Sequence, residues 1–145
     1  MYKEAYFIKI EGLWEEVSHH IQKWQQMEAN LLNKKPAPDK WSALECIDHL
    51  SQTYKTYLPN LKKAIDQSSN QDFKKYRPGL LGKFIVNSVG LKDNGKAKMP
   101  MKTFSSFEPG PQGNMEKEKV FSDFMKFHSE FRTCIEKSKN KNINK

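Results

Sequence analysis

The sequence predicts an all-α protein, and three observations carry that prediction. Apolar residues recur at spacings of three and four in three long segments, which is the pattern of helices with one buried face. No segment shows the strict apolar–polar alternation of a half-buried strand. Aromatic residues make up 12% of the chain, which argues against a disordered protein although the hydrophobic fraction is only 37%. The length of 145 residues fits a single domain, residues 1–145.

The first helix is predicted up to Leu31, and its start is open. Residues 2–10 are apolar without a clean period, and Gly12 could interrupt the helix. Its end is better defined, because Pro36 and Pro38 lack the backbone donor that a helix needs. The predicted buried stripe consists of Leu13, Trp14, Val17, His20, Ile21, Trp24, Met27 and Leu31.

The second helix begins with a capping box and is predicted over residues 42–67. The Ser42 hydroxyl can accept from the Glu45 amide, while the Glu45 carboxylate accepts from the Ser42 N–H. Pro59 predicts a kink, since the carbonyl four residues earlier loses its partner. The predicted buried stripe consists of Leu44, Ile47, Leu50, Tyr54, Tyr57, Leu58, Leu61 and Ile65.

A long insertion at about 68–113 separates the second helix from the last. It comprises a polar loop up to Arg77, a short inserted helix over residues 80–89 and an irregular crossing rich in Gly and Pro. The last long helix begins near Asn114, and a basic tail follows at about 137–145. The seam of this helix consists of Val120, Phe121, Phe124, Phe127, His128, Phe131, Cys134 and Ile135.

Composition excludes several classes of protein. The longest uncharged apolar stretch, Phe84–Leu91, is far below the ~20 residues of a transmembrane helix. Charged residues within Met1–Trp14 interrupt any signal-peptide core. Two cysteines, Cys46 and Cys134, are too few to stabilise a domain of this size through disulfide bonds, so we expect reduced thiols in a cytoplasmic protein. The net charge of +8 favours acidic partners without specifying a fold.

The segment Lys35–Leu50 resembles the helix-two signature of the DinB-like superfamily. The matching pattern is Pro36-x-Pro38-x-x-Trp41-Ser42-x-x-Glu45-x-x-x-His49-Leu50, and the stretches Tyr76-Arg77-Pro78 and Lys98–Phe107 resemble a connecting region of some members. The resemblance implies a four-helix bundle that often forms a homodimer. It also implies a divalent metal (Zn, Ni or similar) held by histidines, in a hydrolase or thiol-dependent transferase of a small-molecule substrate.

His49 is the one metal ligand that the resemblance places in this sequence. Members with a complete site take two further histidines from a His-x-x-x-His in the final helix, and this sequence contains no such motif. Residues 140–145 resemble the linker into that helix. We therefore expect either a bundle that has lost the final helix or a sequence shorter than the natural product. The site is incomplete as the sequence stands, and the base and nucleophile stay unassigned.

The helical position of each histidine separates the candidates. His49 lies roughly 130° from the centre of the apolar stripe, on an uncharged polar strip that suits a cleft between helices. The alternative is a half-exposed histidine without a role. His128 lies on the seam and is expected to be a core histidine with one hydrogen bond. His19 and His20 point about 100° apart and cannot chelate together. Cys46, at i−3 from His49, is either a gap-filling residue or a reactive thiol.

Two functions from other classes stay open. One is a non-catalytic bundle that dimerises or interacts without a complete metal site. The other is binding of an anionic surface, nucleic acid or membrane, through a basic middle segment with interleaved aromatic residues. A nucleic-acid partner is disfavoured, because the sequence shows no recognition module. The basic residues are Lys74, Lys75, Arg77, Lys83, Lys92, Lys96, Lys98 and Lys102.

Overall fold

The computed structural model describes residues 2–70, 73–77, 103, 105–109 and 114–143. Within these residues the chain forms four α-helices and no named strand, which confirms the all-α prediction. The helices are α1 (Lys3–Gln25), α2 (Ala29–Asn33), α3 (Ala43–Gln67) and α4 (Lys117–Ser138), with a 3₁₀ turn at Ser105–Phe107. The predicted short helix at residues 80–89 lies outside the described residues.

The structure defines the start of the first helix, which the sequence left open, and places its end earlier than predicted. α1 begins at Lys3 and continues through Gly12, where an added Cβ would meet no atom within 4 Å. The start of the helix is fixed by a residue that is far away in the sequence, because the Lys3 N–H donates to the Lys74 carbonyl at 3.2 Å. The helix ends at Gln25, and the predicted continuation to Leu31 is instead the separate short helix α2.

The buried face of α1 is rotated from the predicted stripe. Phe7 and Ile21 are buried and Trp14 is half-buried, at a spacing of seven residues. Leu13 is 52% exposed and Val17 is 37% exposed, and His20 and Leu31 are exposed as well. These four predictions were wrong. α4 packs along the line of Phe7, Trp14 and Ile21 and leaves the flank with Leu13, Val17 and His20 uncovered, whereas Leu31 lies on the separate helix α2.

α3 confirms the capping box. Ser42 is the N-cap, the Glu45 N–H donates to its hydroxyl at 3.2 Å, and the Ser42 N–H donates to the Glu45 carboxylate at 2.7 Å. The helix continues through Pro59 to Gln67. Leu50 is 41% exposed and Tyr57 is 57% exposed, which corrects two members of the predicted stripe. The contact line with α4 is narrower than the apolar stripe and runs through Leu44, Ile47, Ser51, Leu58 and Ile65.

α4 confirms the predicted seam and sets the topology. Leu44 shares a core cluster with Phe121, and Ile65 shares another with Cys134, so α3 and α4 run parallel. Phe7 packs with Ile135 at the far end, so α1 runs antiparallel to both. The end of α3 and the start of α4 therefore lie at opposite ends of the bundle, separated by about the length of α3, ~37 Å at about 1.5 Å per residue. This distance explains why a long insertion separates the two helices.

The segment after α3 is mostly polar in sequence, but one of its residues belongs to the hydrophobic core. Phe73 is only 7% exposed and packs with Phe7 and Ile135. Tyr2 and Lys75 form an isolated antiparallel bridge beside it. Phe73 therefore anchors the predicted polar loop to the helical core and helps to close this end of the bundle.

Candidate functional site

His49 is half-buried on α3, and two contacts hold its ring. Its Nδ1 atom lies 2.6 Å from the carbonyl oxygen of Phe107. A carbonyl only accepts, so Nδ1 carries the proton and donates it. The Trp41 ring packs beside the imidazole with centroids 5.0 Å apart. In the neutral ring, this arrangement leaves the lone pair of Nε2 available to a ligand.

The site is assembled from the start of α3 and the 3₁₀ turn. The capping box fixes where α3 begins, which places Trp41 just before the helix and His49 two turns into it. On the other side, the Phe107 ring stacks on Tyr57, with centroids 5.8 Å apart and planes 21° apart. A role for Phe107 could not be predicted from the sequence, because its contribution is a backbone carbonyl, which any type of residue supplies.

Glu45 lies one turn before His49, but its carboxylate is already committed. It is 3% exposed, accepts from the Ser42 N–H and pairs with the Lys35 ammonium at 2.9 Å. Burial alone would raise the pKa of Glu45, yet the Ser42 hydrogen bond and Lys35 together lower that pKa below its ordinary value. Glu45 is therefore a capping residue rather than a free ligand for an ion at His49.

Cys46 is a free cysteine on the exposed side of α3. Desolvation of the thiol and the neighbouring Glu45 carboxylate raise the pKa of Cys46. An activated thiol needs a lowered pKa, so this environment opposes the reactive-thiol interpretation. The surroundings do not make Cys46 a nucleophile at neutral pH.

His128 is a core histidine, as expected, but it has two side-chain hydrogen bonds rather than one. The ring is 1% exposed, with Nε2 at 2.8 Å from the Ser18 hydroxyl and Nδ1 at 3.0 Å from the Tyr54 hydroxyl. The Trp14 ring stacks on it at 4.7 Å and 4°. Burial lowers the pKa of His128. These contacts account for His128 structurally.

His19 and His20 do not form a site. Both are exposed on α1, and their rings are 5.9 Å apart in an edge-to-face arrangement. Neither of them, nor His128, packs against His49 in the described ring contacts. Among the hydrogen bonds of the described residues, His49 is the one histidine whose ring contacts a backbone carbonyl.

The described donor atoms do not complete a catalytic metal centre. Across the described ranges, from residue 2 to residue 143, no group of three His, Cys, Asp or Glu residues could hold a metal ion. The remaining residues of the sequence add only Asp72 and Asp93 to the candidates of these types. A catalytic zinc ion normally has three protein ligands. The residues present fit a single histidine ligand and do not fit a full donor set.

Part of the basic segment lies at the opposite end of α3 from His49. Lys74, Lys75 and Arg77 are exposed beside the start of α1. The other five basic residues of the segment lie outside the described residues. Among the helices that the structure describes, none is long and apolar enough to cross a bilayer.

Comparison with known proteins assigns the family. A family model described as the DinB superfamily matches residues 9–145, which include most of α1, the capping segment, His49 and α4. Searches of curated proteins and of solved structures found no match. The family match covers more than nine-tenths of the sequence, and the helical fold agrees with it. The chain therefore belongs to the DinB superfamily.

Proposed function

We propose that this protein binds a divalent metal ion through Nε2 of His49. The observation that supports the proposal is the hydrogen bond from His49 Nδ1 to the Phe107 carbonyl. Metal-binding histidines almost always donate their other ring N–H to a carbonyl or carboxylate, which fixes the tautomer and orients the ring. The contact with Trp41 adds a second restraint on the same ring.

The proposed activity is that of a metal-dependent hydrolase or thiol-dependent transferase acting on a small molecule. A divalent ion can lower the pKa of a bound water or polarise a thiol or carbonyl. A cavity of about 150 Å³ lies beside Trp41, with Glu45, Glu108 and Pro109 in its wall. No reaction step is assigned to the ion, because the described donor set is incomplete. The cytoplasmic location stays a prediction.

The hydrogen bond to Phe107 has a structural role besides orienting the His49 ring, and the experiment must distinguish this role from metal binding. It also fastens the 3₁₀ turn to α3, so His49→Ala removes both the ring and the fastening. His49→Asn is the sharper variant, because the amide of asparagine can donate from nearly the position of Nδ1 but offers nothing at the position of Nε2. The matched control is His19→Asn on the exposed face of α1.

The experiment is metal analysis of protein purified without a histidine tag. We expect bound divalent metal in the wild type and in His19→Asn, and its loss in both His49→Asn and His49→Ala. Equal metal content in the wild type and in His49→Asn would remove His49 from the site. Turnover of ester, amide and thiol-acceptor substrates by the same set of proteins then tests the proposed activity.

A dimerising bundle without catalysis is the second candidate, and exposed apolar side chains favour it. Leu13 and Val17 on α1 and Leu50 and Tyr57 on α3 are all more than a third exposed. Leu13 and Val17 lie one turn apart on α1, and exposed apolar residues that share a helix face commonly mark interaction surfaces. Light scattering should report a homodimer that Leu13→Glu or Leu50→Glu dissociates, whereas Thr56→Glu, at an exposed polar position of α3, should not. A metal-free wild type that forms such a dimer would favour this candidate.

A further inference from the structure

A sheltered apolar cavity of about 210 Å³ lies between α1, α3 and α4. It is near the end of α3, where Leu61 is ~18 Å along the helix from His49 at about 1.5 Å per residue. The cavity is therefore separate from the metal-binding position proposed above. It also differs from the more open hollow around Ala29 and Asn114, where most of the lining residues are exposed.

The walls of this cavity come from all three long helices. Each described residue that lines it is buried or half-buried, and none carries a formal charge at neutral pH. The helices contribute aromatic and aliphatic side chains together with one thiol, including Phe7, Ile10, Leu61, Ile65, Phe131 and Cys134. The wall therefore offers mainly apolar surface to an occupant, and covering that surface with an apolar molecule is favourable.

Two connecting segments cover the cavity, and backbone hydrogen bonds fix both. Tyr76 stacks on Tyr6 with ring centroids 4.2 Å apart, and the segment that contains it is tied to α1 by the Lys3–Lys74 hydrogen bond. On the other side Ile143 lines the cavity, and the Asn142 N–H donates to the Ser69 carbonyl at 3.0 Å. The cavity is thus preformed, so a ligand would not need to order its walls.

The size and chemistry of the cavity define the class of ligand. An engineered apolar cavity of about 150 Å³ in another protein binds benzene. The cavity here is larger, and its wall includes the side chains of Tyr6 and Tyr76. An ionised group would be desolvated there without a partner of opposite charge among the described lining residues. We propose that this cavity binds a neutral, mainly apolar small molecule of about the size of a substituted benzene.

Toluene, p-cresol and benzoate are suitable probes, with binding measured by ligand-observed NMR. We expect the two neutral probes to bind the wild type and benzoate not to bind. Ile10→Phe should fill the cavity and weaken toluene binding at least tenfold. The matched control is Ile8→Phe, which enlarges an exposed residue of the same helix outside the cavity and should leave binding unchanged. Far-UV circular dichroism checks that both variants remain helical.

The two cysteines provide a second readout that needs no change in the cavity. In Cys46→Ser, the one remaining thiol is Cys134, which is 2% exposed and lines the cavity. Saturating toluene should slow the reaction of Cys134 with a thiol reagent several-fold, while benzoate should have no effect. The proposal is overturned if toluene neither binds nor protects Cys134, if benzoate acts equally well, or if Ile10→Phe binds toluene as tightly as Ile8→Phe. His49→Asn should bind toluene normally, so this outcome is independent of the metal proposal.

Discussion

The Nε2 atom of His128 lies 2.8 Å from the hydroxyl oxygen of Ser18, and this contact joins α4 to α1. The single hydroxyl proton of Ser18 is donated to the Trp14 carbonyl, also at 2.8 Å. Nε2 therefore carries the imidazole proton, and Nδ1 accepts from the Tyr54 hydroxyl on α3. A neutral His128 thus uses one donor and one acceptor to link all three long helices.

We expect the protein to lose stability as the pH falls through the histidine range. Burial lowers the pKa of His128, so the unfolded chain, with a pKa of about 6.5, takes up the proton first. The free energy of unfolding is therefore highest above about pH 6.5. It decreases as the pH falls from there towards the lowered pKa of His128 in the folded protein. Urea unfolding at a series of pH values from 7.5 to 5.5 measures the effect.

The matched variants for this pH dependence are His128→Gln and His19→Gln. Glutamine keeps hydrogen-bonding capacity at position 128 but does not titrate. The unfolding free energy of His128→Gln should therefore vary less with pH than that of the wild type. His19 is exposed on α1, and its replacement should leave the wild-type slope. An unchanged slope in His128→Gln would assign the acid sensitivity to other groups.

Tyr54→Phe should destabilise the fold by about 1–3 kcal/mol. The change removes the donor to His128 Nδ1 and leaves a buried acceptor unpaired. Tyr57→Phe is the control on the same helix. The Tyr57 side chain is 57% exposed, so the loss of its hydroxyl should cost less than about 0.5 kcal/mol. Chemical denaturation of the two variants compares them directly, and equal effects would contradict the proposed role of the Tyr54 hydroxyl.

Ser42→Ala should lower the free energy of unfolding by about 1 kcal/mol. The variant loses the side-chain acceptor for the Glu45 N–H at the start of α3. Ser42→Gly should cost only a few tenths of a kcal/mol, because glycine is tolerated at an N-cap. Thermal and urea unfolding provide the comparison. A glycine variant as unstable as the alanine variant would argue against capping as the cause.

The parts of the fold that could be predicted from the sequence are those that depend on nearby residues. The Ser42–Glu45 capping box is complete within four residues, and the seam of α4 repeats regularly over its whole length. The start of α1 could not be predicted in this way, because it depends on the Lys3–Lys74 hydrogen bond between residues far apart in sequence. The buried face of α1 likewise depends on where α4 packs, which its own apolar pattern does not specify.

The candidate site shows the same division. His49 could be singled out from its motif and its position on the helix. Its partner could not, because the Phe107 carbonyl is a backbone group that any residue supplies. The second hydrogen bond of His128 was missed for a related reason, since Ser18 and Tyr54 lie on two other helices whose relative rotation the sequence does not fix.

Titration of the metal-free protein with Zn²⁺, followed by the imidazole NMR signals, tests the assignment of His49 most directly. The account predicts that the His49 Nε2 resonance shifts on addition of about one equivalent, while Nδ1 keeps its proton and the His128 signals are unchanged. His49→Asn should abolish the response. An unchanged His49 resonance, or a response confined to His19 and His20, would contradict the proposal that His49 binds the metal.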